Sequence, residues 1–195
     1  LRWLPLDVSG KSVNGLTHAV MAERGQNIDW DESASTIAGV GMLSGKSGGF
    51  VYGADIAEFE LLATADDVLQ HMQMVHGLFN RIDSLDVPTI VGIDGIAVGG
   101  GLEIALTFDR IITTASPKTK LGFPEVNLGI LPGYGGSGRA YRRIGTAAVT
   151  QMMMSGRPLT ASAAKAAGLM DQTVDDAAAL QPGMTSGLRA RDGAK

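Results

Sequence analysis

Residues 87–106 read VPTIVGIDGIAVGGGLEIAL, and this stretch decides the fold. Thr89–Ile93 is a short, continuous apolar run, which predicts a buried strand. The glycine-rich GIAVGGG that follows predicts a tight turn, and LEIALTF then begins a mostly apolar helix. Because a strand passes through a glycine turn directly into a helix, the stretch favours an α/β architecture.

The same alternation continues on both sides of this block. Before it, residues 36–43 (TIAGVGML) predict another buried strand, and residues 66–85 place apolar side chains three or four apart, as an amphipathic helix requires. After it, residues 110–114 (RIITT) predict a β-branched strand. Short helices are expected at residues 145–154 and 162–167, the second capped by its own first serine.

The length of 195 residues predicts one domain, which we assign to residues 1–176. Residues 177–195 have no periodic apolar pattern and are expected to form a poorly ordered tail. In residues 22–35 (AERGQNIDWDESAS), Gly25 and the polar run argue against a continuous helix. The N-terminal residues have no basic segment followed by an apolar one, so we expect no signal peptide.

Composition excludes several classes of function. The chain has no cysteine, which removes disulfides, thiolate catalysis and cysteine-held zinc. His71 and His76 are five residues apart, which is not the spacing of a helical metal-ligand pair, so we expect no metal site. The net charge of −4 and a pI near 5.3 disfavour a nucleic-acid partner. Apolar runs shorter than the ~18 residues of a membrane span predict a cytoplasmic protein.

Positive charge is concentrated at Arg139, Arg142 and Arg143. We interpret this cluster as a solvated face or a subunit edge, with binding of an anionic ligand as the alternative.

Two phosphate-binding patterns occur in part and are rejected. Residues 133–138 (GYGGSG) match G-x-G-x-x-G, but the motif follows a proline loop instead of a strand and has no acidic residue at the expected distance. Residues 40–47 (VGMLSGKS) come close to the nucleotide-binding P-loop, but they begin with valine where the loop requires glycine. Neither a dinucleotide cofactor nor nucleotide hydrolysis is therefore predicted.

The segment GGGLEIAL at residues 99–106 is the strongest functional signal. A glutamate in an apolar helical stretch is unfavourable unless it is paired or used, although a glutamate on a solvent-facing side of the helix remains the alternative. The preceding glycines leave N–H groups unshielded at a helix N-terminus. Glu125 lies in the loop FPEVNLG, 22 residues after Glu103. Two carboxylates beside exposed N–H groups suit acid–base chemistry next to an oxyanion.

Three segments resemble, in order, the signature segments of the enoyl-CoA hydratase/isomerase (crotonase) family: SGKSGGFVYGADI, VPTIVGIDGIAVGGGLEIAL and LGFPEVNLGILPGYGGSGR. SGRPLTASAAKAAGLMDQTV resembles the helix and strand that follow them in that family, so the likeness extends from Ile37 to Val174. The stretch ASPKTKLGFPEV looks most like the N-terminal hydratase region of multifunctional fatty-acid oxidation alpha subunits.

This resemblance implies a crotonase-like fold, in which repeated ββα units form a spiral core flanked by helices, and assembly into homotrimers or hexamers. It implies hydration of 2-enoyl-CoA to 3-hydroxyacyl-CoA in fatty-acid β-oxidation, with no cofactor because coenzyme A is part of the substrate. By resemblance, Glu103 and Glu125 are the catalytic carboxylates, and the N–H groups of Ala54 and Gly100 form the oxyanion hole. The positions that match substrate contacts are Gly53, Asp55, Ile56, Gly99, Phe123, Pro132 and Gly133.

Two alternatives remain open at this point. The first is enoyl-CoA isomerisation or other acyl-CoA chemistry on the same fold. The second is a non-catalytic fragment, because the chain lacks the usual C-terminal helical region of the family and carries Ala57 where relatives are often basic.

Overall fold

A computed structural model describes residues 1–33, 37–47, 49–59 and 62–189, with side chains described throughout except at 27–33, 56 and 59. The strands are β1 (Arg2–Leu6), β2 (Val40–Ser44), β3 (Thr89–Ile93), β4 (Ile96–Val98), β5 (Arg110–Thr114), β6 (Lys120–Gly122), β7 (Leu159–Thr160) and β8 (Gln172–Val174). The α-helices are α1 (His18–Ser33), α2 (Ile56–Phe59), α3 (Ala65–Asp83), α4 (Gly100–Ala105), α5 (Gly136–Ser155), α6 (Ala161–Ala166) and α7 (Leu180–Arg189). Short 3-10 helices lie at Glu125–Leu128 and Ala177–Ala179.

The main sheet is parallel, has five strands and follows the order β1-β2-β3-β5-β8. Its central strand β3 is buried along its whole length, as the continuous apolar run predicts. Val91 and Ile93 face the larger core, whereas Ile90 faces a second apolar cluster on the opposite side. Both faces of the sheet are therefore covered, and the predicted α/β architecture is confirmed.

Helix α3 begins and ends close to the bounds that apolar spacing predicts. Thr64 caps it, since its hydroxyl accepts a hydrogen bond from the Asp67 N–H at 3.1 Å and the Asp67 carboxylate accepts one from the Thr64 N–H at 2.9 Å. This reciprocal pair satisfies two N–H groups that the first turn leaves without helical partners. The buried side of the helix, which includes Phe79, packs into the larger core.

A smaller sheet carries the glycine turn toward α4. Strands β4 and β6 pair in parallel, while β6 and β7 pair antiparallel. Gly99 connects β4 to α4 with φ of 54° and ψ of −131°, a conformation that a residue with a side chain rarely adopts. The Gly99 N–H donates to the Gly122 carbonyl of β6 at 3.0 Å, and this hydrogen bond fixes the turn against the smaller sheet.

Helix α1 corrects the expectation for residues 22–35. The chain is helical from His18 to Ser33, and residues 34–35 lie outside the described residues. The Thr17 hydroxyl accepts a hydrogen bond from the Val20 N–H at 3.2 Å, and Val20 and Met21 are buried in the core. A Cβ at Gly25 would meet no other atom within 4 Å, so this glycine occupies an open helical position. Its cost of ~1 kcal/mol is smaller than what tertiary packing provides.

Two other helices differ in detail from their predicted bounds. Helix α5 begins at Gly136, and Gly145, with φ of 72° and ψ of 172°, interrupts it, so the predicted helix at 145–154 corresponds to its second half. The cap of α6 is Thr160 and not Ser162, because the Thr160 hydroxyl accepts from the Ala163 N–H at 3.2 Å. Among the described helices, none combines the length and apolar character that crossing a membrane requires.

The C-terminal segment also differs from the expected loose tail. Residues 180–189 form α7, while residues 190–195 lie outside the described residues. Leu180, Met184 and Leu188 are spaced four apart and pack against Ile90 and Ile112 of the main sheet. Proline and glycines give this segment a low helix propensity, which is why the sequence does not predict a helix. Packing of its three apolar side chains against the sheet outweighs that low propensity.

Shortening Met184 is expected to destabilise the protein by about 2–4 kcal/mol, because this fully buried side chain packs against β3 at Gly92. The measurement is the free energy of unfolding of Met184→Ala in urea. Gln181→Ala, on the exposed side of the same helix, is the matched control and should change stability by less than about 0.5 kcal/mol. Equal stability of Met184→Ala and wild type would show that α7 does not cover the sheet.

Candidate active site

A cavity of about 480 Å³ lies where α4, α3 and the segment following β6 meet. Most of its wall is apolar, and its polar side chains are few. The lining residues are Tyr52, Gly53, Ala54, Leu62, Val68, His71, Met72, Gly99, Gly100, Glu103, Pro124, Glu125, Leu128, Ile130, Leu131, Gly133 and Tyr134. An apolar cleft with a few convergent polar groups is the usual form of a small-molecule site.

Two backbone N–H groups meet at one end of this cavity. Ala54 is held by a bridge to Leu16, whose N–H donates to the Gly53 carbonyl at 2.9 Å. Gly100 opens α4, and a Cβ placed on it would lie 3.3 Å from the Ala54 nitrogen. Within the described part of the chain, neither the Ala54 N–H nor the Gly100 N–H has a hydrogen-bond acceptor. The structure thus brings together the pair that the resemblance implied, with both donors available to an anionic oxygen.

Glu103 enters the cavity from α4. The side chain is only 2% exposed, and its Oε1 accepts hydrogen bonds from the Tyr134 and Gly136 N–H groups, both at 2.8 Å. A Cβ on Gly136 would overlap the Glu103 side chain and come within 3.0 Å of Phe123, so glycine is required for this approach. Glu103 is therefore a held, buried carboxylate and not a solvent-facing one.

Glu125 approaches the same space from the 3-10 helix. It is 8% exposed, and its Oε1 would lie 3.1 Å from a Cβ on Gly99. Its Oε2 is buried and has no hydrogen-bond partner among the described residues. A buried carboxylate oxygen without a partner makes the anion of Glu125 more costly than that of an exposed glutamate.

Burial raises the pKa of both carboxyl groups. Burial raises the pKa of Glu103 to about 7, the N–H groups of Gly136 and Tyr134 oppose that rise, and the nearby Glu125 charge adds to it. Burial likewise raises the pKa of Glu125. Both shifts move the pKa in the direction that suits a glutamate to acid–base catalysis near neutral pH.

The raised pKa of Glu103 predicts a pH-dependent gain in stability for Glu103→Gln. Because the folded-state pKa lies above the ordinary value of 4.5, the cost of the buried charge is absent below pH 4.5 and complete above about pH 7. That difference corresponds to roughly 3 kcal/mol. Glu103→Gln should therefore gain free energy of unfolding over wild type as the pH rises from about 4.5 to 8, measured in urea. Asp86→Asn, on an exposed side chain, is the control. If the difference in free energy of unfolding between Glu103→Gln and wild type does not change with pH, burial does not oppose ionisation of Glu103.

The remaining predicted substrate-binding residues divide into two groups. Gly53, Gly99 and Gly133 line the cavity. Asp55, Phe123 and Pro132 are not among the residues that line the cavity. The Asp55 Oδ1 accepts a hydrogen bond from the Ala57 N–H at 3.1 Å. Phe123 is buried in the core, and Pro132 is partly exposed in its loop. The side chain of Ile56 lies outside the described residues.

Sequence reasoning missed the wall that α3 supplies. Val68, His71 and Met72 line the cavity, and the His71 Nε2 lies 3.0 Å from the Tyr134 hydroxyl. The periodicity identified α3 as an amphipathic helix, but it could not show which residues face a cavity and which face the core. Among the described residues, no cluster of His, Asp or Glu is arranged to hold a metal ion.

The G-x-G-x-x-G segment and the arginine cluster have structural roles in this site. The N–H groups of Tyr134 and Gly136 bind a protein carboxylate. The interpretation of the arginines as a solvated face is wrong for Arg139, which is 8% exposed and pairs with Asp83. Arg143 is half-buried, donates to the carbonyls of Phe108 and Asp109 and pairs with Asp171, whereas Arg142 is exposed, as the interpretation predicts.

Comparison with solved structures defines the class of protein. The crystal structure of an enoyl-CoA hydratase from Bacillus anthracis superposes with a TM-score of 0.87 at 26% sequence identity, over 97% of this chain and 72% of that one. An enoyl-CoA hydratase/carnithine racemase from Magnetospirillum magneticum shares the fold at a TM-score of 0.87 and 23% identity, over 96% of this chain and 70% of that one. The crotonase-like fold expected from the sequence is confirmed.

The sequence comparisons then place the chain in its family. Residues 9–185 match the family described as Enoyl-CoA hydratase/isomerase, and the chain belongs to that family of enzymes. It is 35% identical to the fatty acid oxidation complex subunit alpha of Shewanella halifaxensis and 38% identical to that of Shewanella loihica, each over 98% of this chain. The chain spans 27% of the length of these relatives.

Proposed function

We propose that this chain hydrates 2-enoyl-CoA thioesters to 3-hydroxyacyl-CoA, with Glu103 and Glu125 as the acid–base pair. The observation that carries the proposal is the meeting of two buried carboxylates with two acceptor-free N–H groups at the end of an apolar cavity. The family membership supports acyl-CoA chemistry in general, and the geometry favours hydration within it.

The thioester oxygen would bind between the N–H groups of Ala54 and Gly100. Conjugate addition of water to the β-carbon moves the double-bond electrons toward this oxygen and forms an enolate. Each hydrogen-bond donor to such an oxyanion stabilises the transition state by about 3 kcal/mol. A side chain at position 100 would crowd the Ala54 nitrogen, which is why glycine suits this position.

Proton transfer would involve both glutamates. Glu103, as the carboxylate, accepts a proton from the attacking water as the new carbon–oxygen bond forms. Glu125, protonated, donates a proton to the α-carbon as the enolate collapses. The pair is reset when the proton on Glu103 passes to Glu125, so the net change is addition of one water molecule. The raised pKa of both groups supports this exchange near neutral pH.

The apolar wall would receive the acyl chain. Leu62, Val68 and Met72 come to the lining from α3 and the residues before it, and Leu128, Ile130 and Leu131 come from the segment after β6. These apolar side chains can bind a hydrocarbon tail, because contact with them removes apolar surface of both from water. The reaction requires no cofactor, because coenzyme A arrives as part of the substrate. By family resemblance, we also propose self-assembly into trimers or hexamers.

Product analysis by mass spectrometry tests this function. The purified chain is incubated with crotonyl-CoA and, separately, with 3-hexenoyl-CoA. Hydration adds the mass of one water molecule to crotonyl-CoA, whereas isomerisation of 3-hexenoyl-CoA leaves the mass unchanged and produces the conjugated thioester absorbance. Hydration of crotonyl-CoA supports the proposal. Isomerisation without hydration would replace it by an isomerase function, and no turnover of either substrate would support a non-catalytic fragment.

A further inference from the structure

The Glu103 carboxylate is held by a loop that two side chains bind in turn: His76 of α3, whose Nε2 lies 2.8 Å from the Gly133 carbonyl oxygen, and the buried Arg139. The N–H groups of Tyr134 and Gly136 bind one side of this loop to Glu103. On the other side, the Arg139 Nη1 donates to the Tyr134 carbonyl at 3.1 Å. The peptide groups between residues 134 and 136 therefore lie between the guanidinium and the carboxylate.

Helix α3 fixes the guanidinium in its orientation. The Arg139 Nε donates to Asp83 Oδ2 at 3.2 Å, and its Nη2 donates to Asn80 Oδ1 at 2.9 Å. The side chain is 9% exposed, so solvent screens these contacts only weakly. A planar guanidinium held at three separate nitrogens has little rotational freedom, and its contact with the Tyr134 carbonyl is fixed accordingly.

We propose that Arg139 is a positioning residue for Glu103: by anchoring the Tyr134 carbonyl to α3, it fixes the N–H groups that orient the Glu103 carboxylate. This inference rests on the proposed function for its catalytic consequence, but the coupling between the two side chains can be measured without turnover. Arg139 is not among the residues that line the cavity, so it acts on the substrate only through the lining residues that it helps to hold, Tyr134 and Glu103.

The charged and titratable groups around Glu103 determine how the loss of Arg139 should change the pKa of Glu103. Glu125 faces it from the 3-10 helix, Tyr134 from the loop, and Arg139 from α5. Arg139 is the positive group among them, and its charge lowers the pKa of Glu103. Removal of the guanidinium should therefore raise that pKa, both by loss of positive charge and by loosening of the two N–H donors.

The test compares Arg139→Met with Arg139→Lys and with Arg143→Met. The titration of Glu103 is followed by the carbon-13 signal of its carboxyl group, assigned by its absence in Glu103→Gln. We expect Arg139→Met to move the midpoint upward by about one pH unit, and Arg139→Lys, which keeps the charge, to move it less. Arg143→Met is the matched control. Arg143 also lies on α5 and also donates to backbone carbonyls, but these belong to Phe108 and Asp109 and not to the loop that binds Glu103.

Kinetics supply the second readout. Arg139→Met should lower kcat for crotonyl-CoA about tenfold, shift the acidic limb of the pH profile upward and leave KM within about twofold. Thermal unfolding of each variant verifies that it is folded under the assay conditions. A folded Arg139→Met with the wild-type Glu103 midpoint, or with a loss of kcat that Arg143→Met reproduces, would overturn the proposal. If the wild type does not hydrate crotonyl-CoA, the proposed function fails while the titration still decides the role of Arg139.

Discussion

Replacing either Glu103 or Glu125 by glutamine is expected to lower kcat for crotonyl-CoA hydration by about 100-fold or more. Glutamine keeps the size of the side chain and most of its hydrogen-bonding capacity, but it cannot accept and return a proton. The measurement is the initial rate of loss of the conjugated thioester absorbance at saturating substrate. KM should change much less than kcat, because neither carboxyl group contributes to the apolar wall that would bind the acyl chain.

The two glutamine variants should also be strongly non-additive. If the carboxyl groups pass one proton between them, loss of either interrupts the same cycle, and the double variant should be little slower than the slower single variant. Asp86→Asn removes a carboxylate from an exposed side chain outside the cavity and is the matched control. Near-wild-type kcat in Glu103→Gln and Glu125→Gln would exclude these residues as the acid–base pair.

Gly101→Ala is expected to destabilise the protein by about 3 kcal/mol. A Cβ at Gly101 would overlap the carbonyl oxygen of Val51 and come within 2.8 Å of its carbonyl carbon. That carbonyl cannot easily retreat, because it accepts a hydrogen bond from the Val98 N–H at 3.2 Å. The clash involves backbone on both sides, so no change of rotamer relieves it.

Gly77→Ala is the matched control for this loss. Gly77 lies on the exposed side of α3, and an added Cβ there would meet no atom within 4 Å. Alanine in place of an unobstructed helical glycine should stabilise the protein by about 0.5–1 kcal/mol. Urea unfolding of both variants measures the two changes. A Gly101→Ala protein as stable as wild type would mean that α4 does not pack against the segment of Val51 as described.

The strands and the helix around the glycine turn were predictable, because the residues that form an apolar pattern in the sequence are also the ones buried in the folded chain. Residues 89–93 are apolar at every position, and both faces of β3 are covered. The strand at 110–114 has the bounds that its β-branched residues predict. Glu103 was recognisable as unusual, because a carboxylate in an apolar helical stretch must be paired or used.

Other features depend on contacts between residues far apart in the sequence. Helix α7 forms because its apolar stripe meets a sheet face, which a stretch rich in proline and glycine does not reveal. Arg139 looked like one member of an exposed cluster, but its partners lie on α3, more than fifty residues earlier. The cavity wall could not be predicted for the same reason: α3 and the loop after β6 are far apart in the sequence and meet only in the folded chain.

The central claim is that Glu103 and Glu125 add water to a conjugated thioester held against the N–H groups of Ala54 and Gly100. The most direct test is turnover of crotonyl-CoA in oxygen-18-labelled water, followed by mass spectrometry of the product. The wild type should place the label in the 3-hydroxyl group at least about 100-fold faster than the double variant with both glutamates changed to glutamine. Equal rates of labelling in the wild type and the folded double variant would contradict the claim.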